Sequence, residues 1–286
     1  MTGSGTQADP YIPTTWAEFV TAIGTSGAYV SLAEGTVWDM NEIAPSGAGT
    51  VTVSATQVTG NGATIKNLYF NGGGFDFTAN TAISNMKFTN VLAENSANVF
   101  RCHENQNNVY PSLSQVTISG KIVDSNLFRA DYSDGRHQIT TNRCAINVEI
   151  SGDSAFAKTG SGTYPWLKLF YDNIKTTGSS TYSSAQNMQL QNTLWQGDWT
   201  LKASYFVGGS GGIISSNNIF DVNVPVTATV SVNSNYTANV KQCIFNGSKI
   251  ASGATLAAQI TQVTDEQLHS ASYLNSIGFP IGVESS

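Results

Sequence analysis

A four-residue pattern recurs along the chain: Asn or Gln, then two apolar positions on either side of one variable residue. The copies are Asn67-Leu68-Tyr69-Phe70, Asn85-Met86-Lys87-Phe88, Gln115-Val116-Thr117-Ile118, Asn147-Val148-Glu149-Ile150, Asn187-Met188-Gln189-Leu190, Asn217-Asn218-Ile219-Phe220 and Gln242-Cys243-Ile244-Phe245. Each copy alternates apolar and polar side chains, as a half-buried strand does. Most are followed within two positions by Asn, Gly or Asp, which supply turn chemistry. A strand this short cannot bury its apolar face alone. Stacked copies can, each adding one strand to several parallel sheets around a shared core. The pattern therefore predicts a right-handed parallel β-helix, with the last apolar residue of each copy, Phe70, Phe88, Ile118, Ile150, Leu190, Phe220 and Phe245, facing inward in one stack along one sheet. Successive copies lie 18 to 40 residues apart, which loops of unequal length leaving one corner accommodate. A β-sandwich or jelly roll with chance matches is the competing fold.

Composition fits the same class. In 286 residues only 11% are charged while 10% are aromatic, against roughly 25% charged in ordinary globular domains. A disordered chain would carry more charge and fewer rings. The 26 Asn and 27 Gly suit tight turns that need positive φ. A net charge of −6 with 13 scattered basic residues argues against a nucleic-acid partner, which requires clustered Lys and Arg. The sequence has no 18-residue apolar run, so no membrane insertion is expected. The start, "MTGSGTQADP", shows neither the basic nor the apolar region of a secretory leader. Cys102, Cys144 and Cys243 are far apart and odd in number, which reads as buried small hydrophobes rather than a disulfide framework or a zinc site.

Helical signals bracket the strand-rich middle. Thr15-x-x-Glu18 is a capping box, followed by Trp16, Phe19, Val20 and Ile23 at helical spacing. Thr264-x-x-Gln267 is another, with Val263 and Leu268 as its staple, and Leu268, Ala271, Leu274 and Ile277 continue to a stop at Gly278 and Pro280. The expected organisation is an N-terminal segment with a capping helix over 1–45, a parallel β-helix over 46–262, and a C-terminal capping helix and tail over 263–286. Such caps protect terminal coils, whose unpaired edges otherwise template aggregation.

The flanks "GTQADPYIPTTWAEFVTAIG" and "VTDEQLHSASYLNSIGFPIG" are similar to segments that border pectate-lyase-like β-helices in bacterial surface proteins and in structural proteins of tailed bacteriophages. With no secretory leader, the resemblance implies a virion protein assembled in the host cytoplasm: a spike, fibre, appendage or capsid decoration. It implies other virion proteins as partners, host surface polysaccharide as a ligand, and a homo-oligomer with a trimer favoured. A secreted or cell-surface location is the alternative.

Pectate-lyase-like enzymes imply calcium on several carboxylates with a basic residue as proton acceptor, and β-helical glycosidases imply paired carboxylates on one groove. The densest local candidate is "FRADYSDGRHQ", with Arg129, Asp131, Asp134, Arg136 and His137. If the chain is an enzyme, a polysaccharide lyase or glycoside hydrolase, Asp131, Asp134, Arg136 and His137 are its candidate catalytic residues. The bland reading is a loop of mutually paired charges. Asp131-x-x-Asp134 lacks the ligand spacing of a calcium loop, so neither metal nor cofactor is expected. His103 beside Glu104 is a second acid/base pair, more simply an exposed loop. Asp124, Asp172 and Asp198 are isolated in sequence. Tyr164, Trp166, Tyr171, Tyr182, Trp195 and Trp199 crowd the longest spacing and are candidates for carbohydrate contact, or for packing under a loop or against another subunit. The expectation is a structural or host-interaction protein without catalysis. The alternatives are a polysaccharide-degrading enzyme and a carbohydrate-binding bacterial surface protein. A catalytic groove requires converging carboxylates or a carboxylate–Arg cluster; a binding face shows aromatics with Asn or Ser.

Overall fold

The computed structural model describes residues 1–103, 108–130, 137–152, 155–159, 167–178, 188–200, 214–224, 229–230, 241–256, 258 and 260–277. They form an all-β parallel solenoid with short helices near both ends.

Three rows of parallel strands surround one core. In the first row the register runs Trp38, Ile65, Phe88, Ile118, Ile146, Ile174, Trp195, Phe220, Phe245, each beside the next. All nine of these side chains are buried. The second row stacks Val30, Val58, Ile83, Leu113, Thr141, Leu169 and Leu190. The third stacks Val51, Phe75, Phe100, Phe128 and Ala157, with Phe75 parallel to Phe100 and Phe100 to Phe128 at centroid distances of 5.6 and 5.8 Å. Rings repeated at a rung spacing of about 4.8 Å meet in offset stacks, adding packing energy to plain burial.

The seven predicted inward residues thus divide among rows. Phe88, Ile118, Phe220 and Phe245 belong to the first row. Phe70 and Ile150 belong to a short extension of it, with Ala93 and Ile122 between them, and Leu190 belongs to the second. All seven are buried. Alternation with a period of two looks the same on every face of a solenoid, so the pattern finds core strands without saying which row they join.

The leading Asn or Gln of the pattern has a backbone cause. Between the second and first rows five coils turn through one residue of positive φ, Asn85 (52°), Gln115 (54°), Arg143 (55°), Tyr171 (57°) or Asn192 (50°), while the coil before them uses two, Asn61 (51°) and Gly62 (79°). The ladder continues through this corner, where the N–H groups of Gln115, Arg143 and Tyr171 donate to the carbonyls of Asn142, Phe170 and Gln191, each at 2.9 Å. Asn tolerates this conformation better than most residues. A second corner uses Asn67 and Asn90, whose amides chain together: Asn90 donates to Asn67 Oδ1 (3.3 Å), and Asn67 to Asp39 Oδ1 (2.8 Å).

The helix Trp16–Gly24 covers the end where the first-row stack begins. Thr15 caps it through the Glu18 N–H. Only half of the box closes, because the Glu18 carboxylate accepts instead from Thr14 and from the amino terminus. Phe19 and Trp16 pack on Trp38 at 5.1 and 6.1 Å, and the Ile23 carbonyl accepts from Ser54 and Ala55. At the other end the capping box at Thr264 closes fully. The single helix expected there is two, Asp265–Leu268 and Ala271–Ser276, because Ser270 caps a new start. Leu268 and Leu274 cluster with Leu194, Ile219, Ile244 and Val263. The first three of these alternate with Trp195, Phe220 and Phe245 and so face outward. The C-terminal helices therefore lie on the outer side of the first row. Gly278 and Pro280 fall outside the described residues.

Cys102, Cys144 and Cys243 are buried, and no disulfide joins them. Burial pushes the Cys144 thiol up to about 12 and raises Cys102 further, which makes both inert as nucleophiles.

Candidate functional site

The outer face of the first row carries a shallow trough of about 300 Å³ midway along the solenoid. Strand alternation builds it. Ile118, Ile146, Ile174 and Trp195 point inward, so their neighbours Thr117 and Ser119, Ala145 and Asn147, Asn173 and Lys175, and Gln196 point outward on successive rungs. Hydroxyl, amide and ammonium groups recur along it at about 4.8 Å per rung. Amides and hydroxyls both donate and accept, so the trough complements a ligand that does the same along its length.

The positive-φ corner borders this trough. Arg143 and Tyr171 precede Ala145 and Asn173 by two residues and stand on adjacent rungs, where Asn142 pairs with Phe170. Tyr171 is 53% exposed, and Arg143 is exposed. Neither side chain, nor that of Lys175, bonds to any described residue. Large residues in this backbone region cost about 1–3 kcal/mol each.

On the third row's outer face, buried Asp76 accepts from Arg101 Nε (3.0 Å) and Nη2 (3.2 Å) and meets His103 Nδ1 at 2.7 Å. This is a carboxylate holding an imidazole by one nitrogen. Arg101 and Arg129 stand side by side in the register. Asp76 was invisible as a partner because it lies 25 and 27 residues from Arg101 and His103. Only the coil length, unknown until the strands are placed, joins them.

The other sequence candidates distribute as follows. Asp131, Asp134, Arg136, Glu104, Tyr164, Trp166 and Tyr182 lie outside the described residues. His137 is 2% exposed, and burial holds its imidazole below the ordinary histidine range. Trp195 is a core residue of the first row, with its Nε1–H donating to Thr176 Oγ1 at 2.9 Å and its ring 4.8 Å from Phe156; within this chain no ligand reaches it. Trp199 and Asp198 belong to the strand Leu194–Thr200. Asp124 is a corner residue of positive φ. Asp172 is buried at the corner, accepting from Thr141 Oγ1 and the Cys144 N–H, and burial raises its carboxyl to about 7. Tyr171 is exposed beside the trough.

The trough residues themselves carried one overlooked signal. Ser119, Asn147 and Lys175 recur at intervals of 28, as do Thr117, Ala145 and Asn173. All but Ala145 are polar, and they recur at coil spacing. Among the described residues no group of three or more His, Cys, Asp or Glu gathers to hold a metal, and no helix is long and apolar enough to cross a membrane. Comparison with protein-family models and with curated proteins finds no match to this sequence.

Proposed function

We propose that the chain is a structural, host-interaction protein of a tailed-phage virion, a spike, fibre, appendage or decoration, whose outer face engages surface polysaccharide. The observation that carries the binding part is the trough of Thr117, Ser119, Asn147, Asn173, Lys175 and Gln196. It offers repeated donors and acceptors beside an exposed tyrosine, the mixture that suits hydroxyl-rich chains with apolar sugar faces. The virion part is supported by the flanking segments, which resemble those of phage β-helices, and by the solenoid between them. The experiment is twofold. Mass spectrometry of purified particles is expected to find the protein. Asn147→Ala with Asn173→Ala is expected to weaken binding to a panel of bacterial surface polysaccharides at least about tenfold without changing Tm. Absence from particles removes the virion assignment, and unchanged binding removes the trough.

A second reading has its own observation. The Asp76–His103 pair, steadied by Arg101, is a carboxylate–Arg cluster on an outer face, and an imidazole held by a carboxylate is suited to proton transfer. Under this reading the chain is a polysaccharide-degrading enzyme. His103→Gln then abolishes turnover of a polysaccharide that the wild type cleaves; no cleavage by the wild type rejects it.

A further inference from the structure

We infer that Arg143 and Tyr171 are the specificity-determining pair of the trough, and that they select a saccharide bearing anionic groups. This inference rests on the trough being the binding face. The corner column sets a clear preference. Of the five rungs that turn on a single positive-φ residue, three use an amide, Asn85, Gln115 or Asn192, with a polar side chain that can bond locally. The two exceptions, Arg143 (φ 55°) and Tyr171 (φ 57°), are large and adjacent. They fall on the two rungs that contribute Ala145, Asn147, Asn173 and Lys175 to the trough. Backbone strain of this kind persists where something other than folding selects the residue.

Packing does not account for either side chain. Tyr171 is 53% exposed, and neither it nor Arg143 bonds to any described residue. In a chain of net charge −6, Lys66, Lys121 and Lys249 are ion-paired with Asp39, Glu149 and Asp221, while Lys87 and Lys168 pair with no described acid. Arg143 and Lys175 likewise pair with no acid among the described residues, and they stand at the trough's middle rungs. A guanidinium binds a planar carboxylate through two parallel N–H groups, while a phenol ring covers the apolar face of a sugar. Together they describe a site for an acidic sugar: carboxylate on Arg143 and Lys175, ring on Tyr171, remaining hydroxyls on Asn147 and Asn173.

The test exploits the strain. Arg143→Asn and Tyr171→Asn install the corner's preferred residue, so both variants are expected to fold and to melt about 2–4 °C higher than wild type. Binding is measured by calorimetry on bacterial surface oligosaccharides, each acidic member paired with its carboxyl-reduced form. The wild type is expected to prefer the acidic member at least about tenfold. Arg143→Asn is expected to erase that preference, and Tyr171→Asn to weaken both members alike. Equal wild-type affinity for acidic and reduced forms overturns the inference. So does binding that neither variant alters; if the Asn147/Asn173 double variant still loses that binding, the trough stands and only the specificity pair falls. A wild type that binds no oligosaccharide removes both.

Discussion

Asp172 and Asn218 make the same bond two rungs apart at the same corner: each side-chain oxygen accepts from the backbone N–H of the residue one rung earlier, Cys144 at 2.7 Å and Thr193 at 2.9 Å. One position holds an acid and the other its neutral amide. Burial lifts the Asp172 carboxyl from 3.8 to about 7, so between those values the folded protein holds a proton that the unfolded chain has released. Its contribution is fully present below about pH 4 and is lost as pH rises through about 7, with a slope of at most about 1.4 kcal/mol per pH unit. Asp172→Asn keeps the acceptor for Cys144 without the charge. Urea unfolding is expected to show the variant close to wild type at about pH 4 and more stable at about pH 8. Glu18 does not confuse the comparison. Its bonds to the amino terminus and Thr14 lower it to about 2, so its contribution is present above about 4.5 and lost only below that. Equal slopes for variant and wild type between pH 4 and 7 would refute the assignment.

The first-row register predicts contrasting costs at neighbouring positions. Ile146 is 1% exposed between Ile118 and Ile174, and its truncation to Ala is expected to cost about 2–5 kcal/mol. Asn147→Ala, one residue on and facing solvent, is expected to fall within about 0.5 kcal/mol of wild type. Denaturant midpoints for the two decide it; similar costs would mean that the register is wrong.

Gly120 sits where the first row bends and its pairing with Ala82–Glu94 shifts. Its φ is 154°, and a Cβ there would lie 2.0 Å from the Val91 carbonyl oxygen and 2.5 Å from its nitrogen. Backbone on the neighbouring coil cannot retreat without breaking the ladder, so Gly120→Ala is expected to cost more than about 3 kcal/mol. Gly27 is the control: its φ is 77° but nothing lies within 4 Å, so Gly27→Ala should cost only about 1–2 kcal/mol of backbone strain. Thermal melts that rank the two variants the other way would show that contact with the Val91 backbone is not what requires glycine.

The solenoid was legible because stacking forces a local signature onto every coil. Phe88, Ile118, Phe220 and Phe245 share a position because strand alternation and the corner repeat together. Assignment to rows was not legible. Asn147 opens a copy of the pattern from the middle of a strand, whereas Arg143 and Tyr171 occupy the true corner without resembling Asn. The site was less legible still. Its members are outward-facing residues 28 apart, and their meeting depends on coil lengths set by loops that carry no periodicity. Trp195 illustrates the converse: an aromatic rich in contact chemistry lies inside because its register places it between Ile174 and Phe220.

The C-terminal helices provide the last prediction. Leu194, Ile219 and Ile244 form an outward apolar row on successive rungs, the continuation of the face that carries the trough. Leu268 and Leu274, both at most 1% exposed, cluster with them and with Val263. Removing residues after Val263 uncovers four aliphatic side chains in one patch, beside a final strand, Ile260–Val263, that pairs in register with Lys241–Asn246. An apolar patch next to a strand favours self-association. The shortened protein is expected to fold, since the inward stack is intact, and to sediment as dimers or larger species at concentrations where the full chain does not. Leu268→Asp with Leu274→Asp separates cover from length: it should release the helices and give the same association with every residue present. A shortened chain and a double variant that both sediment like the full chain would show that these helices do not protect the face they lie on.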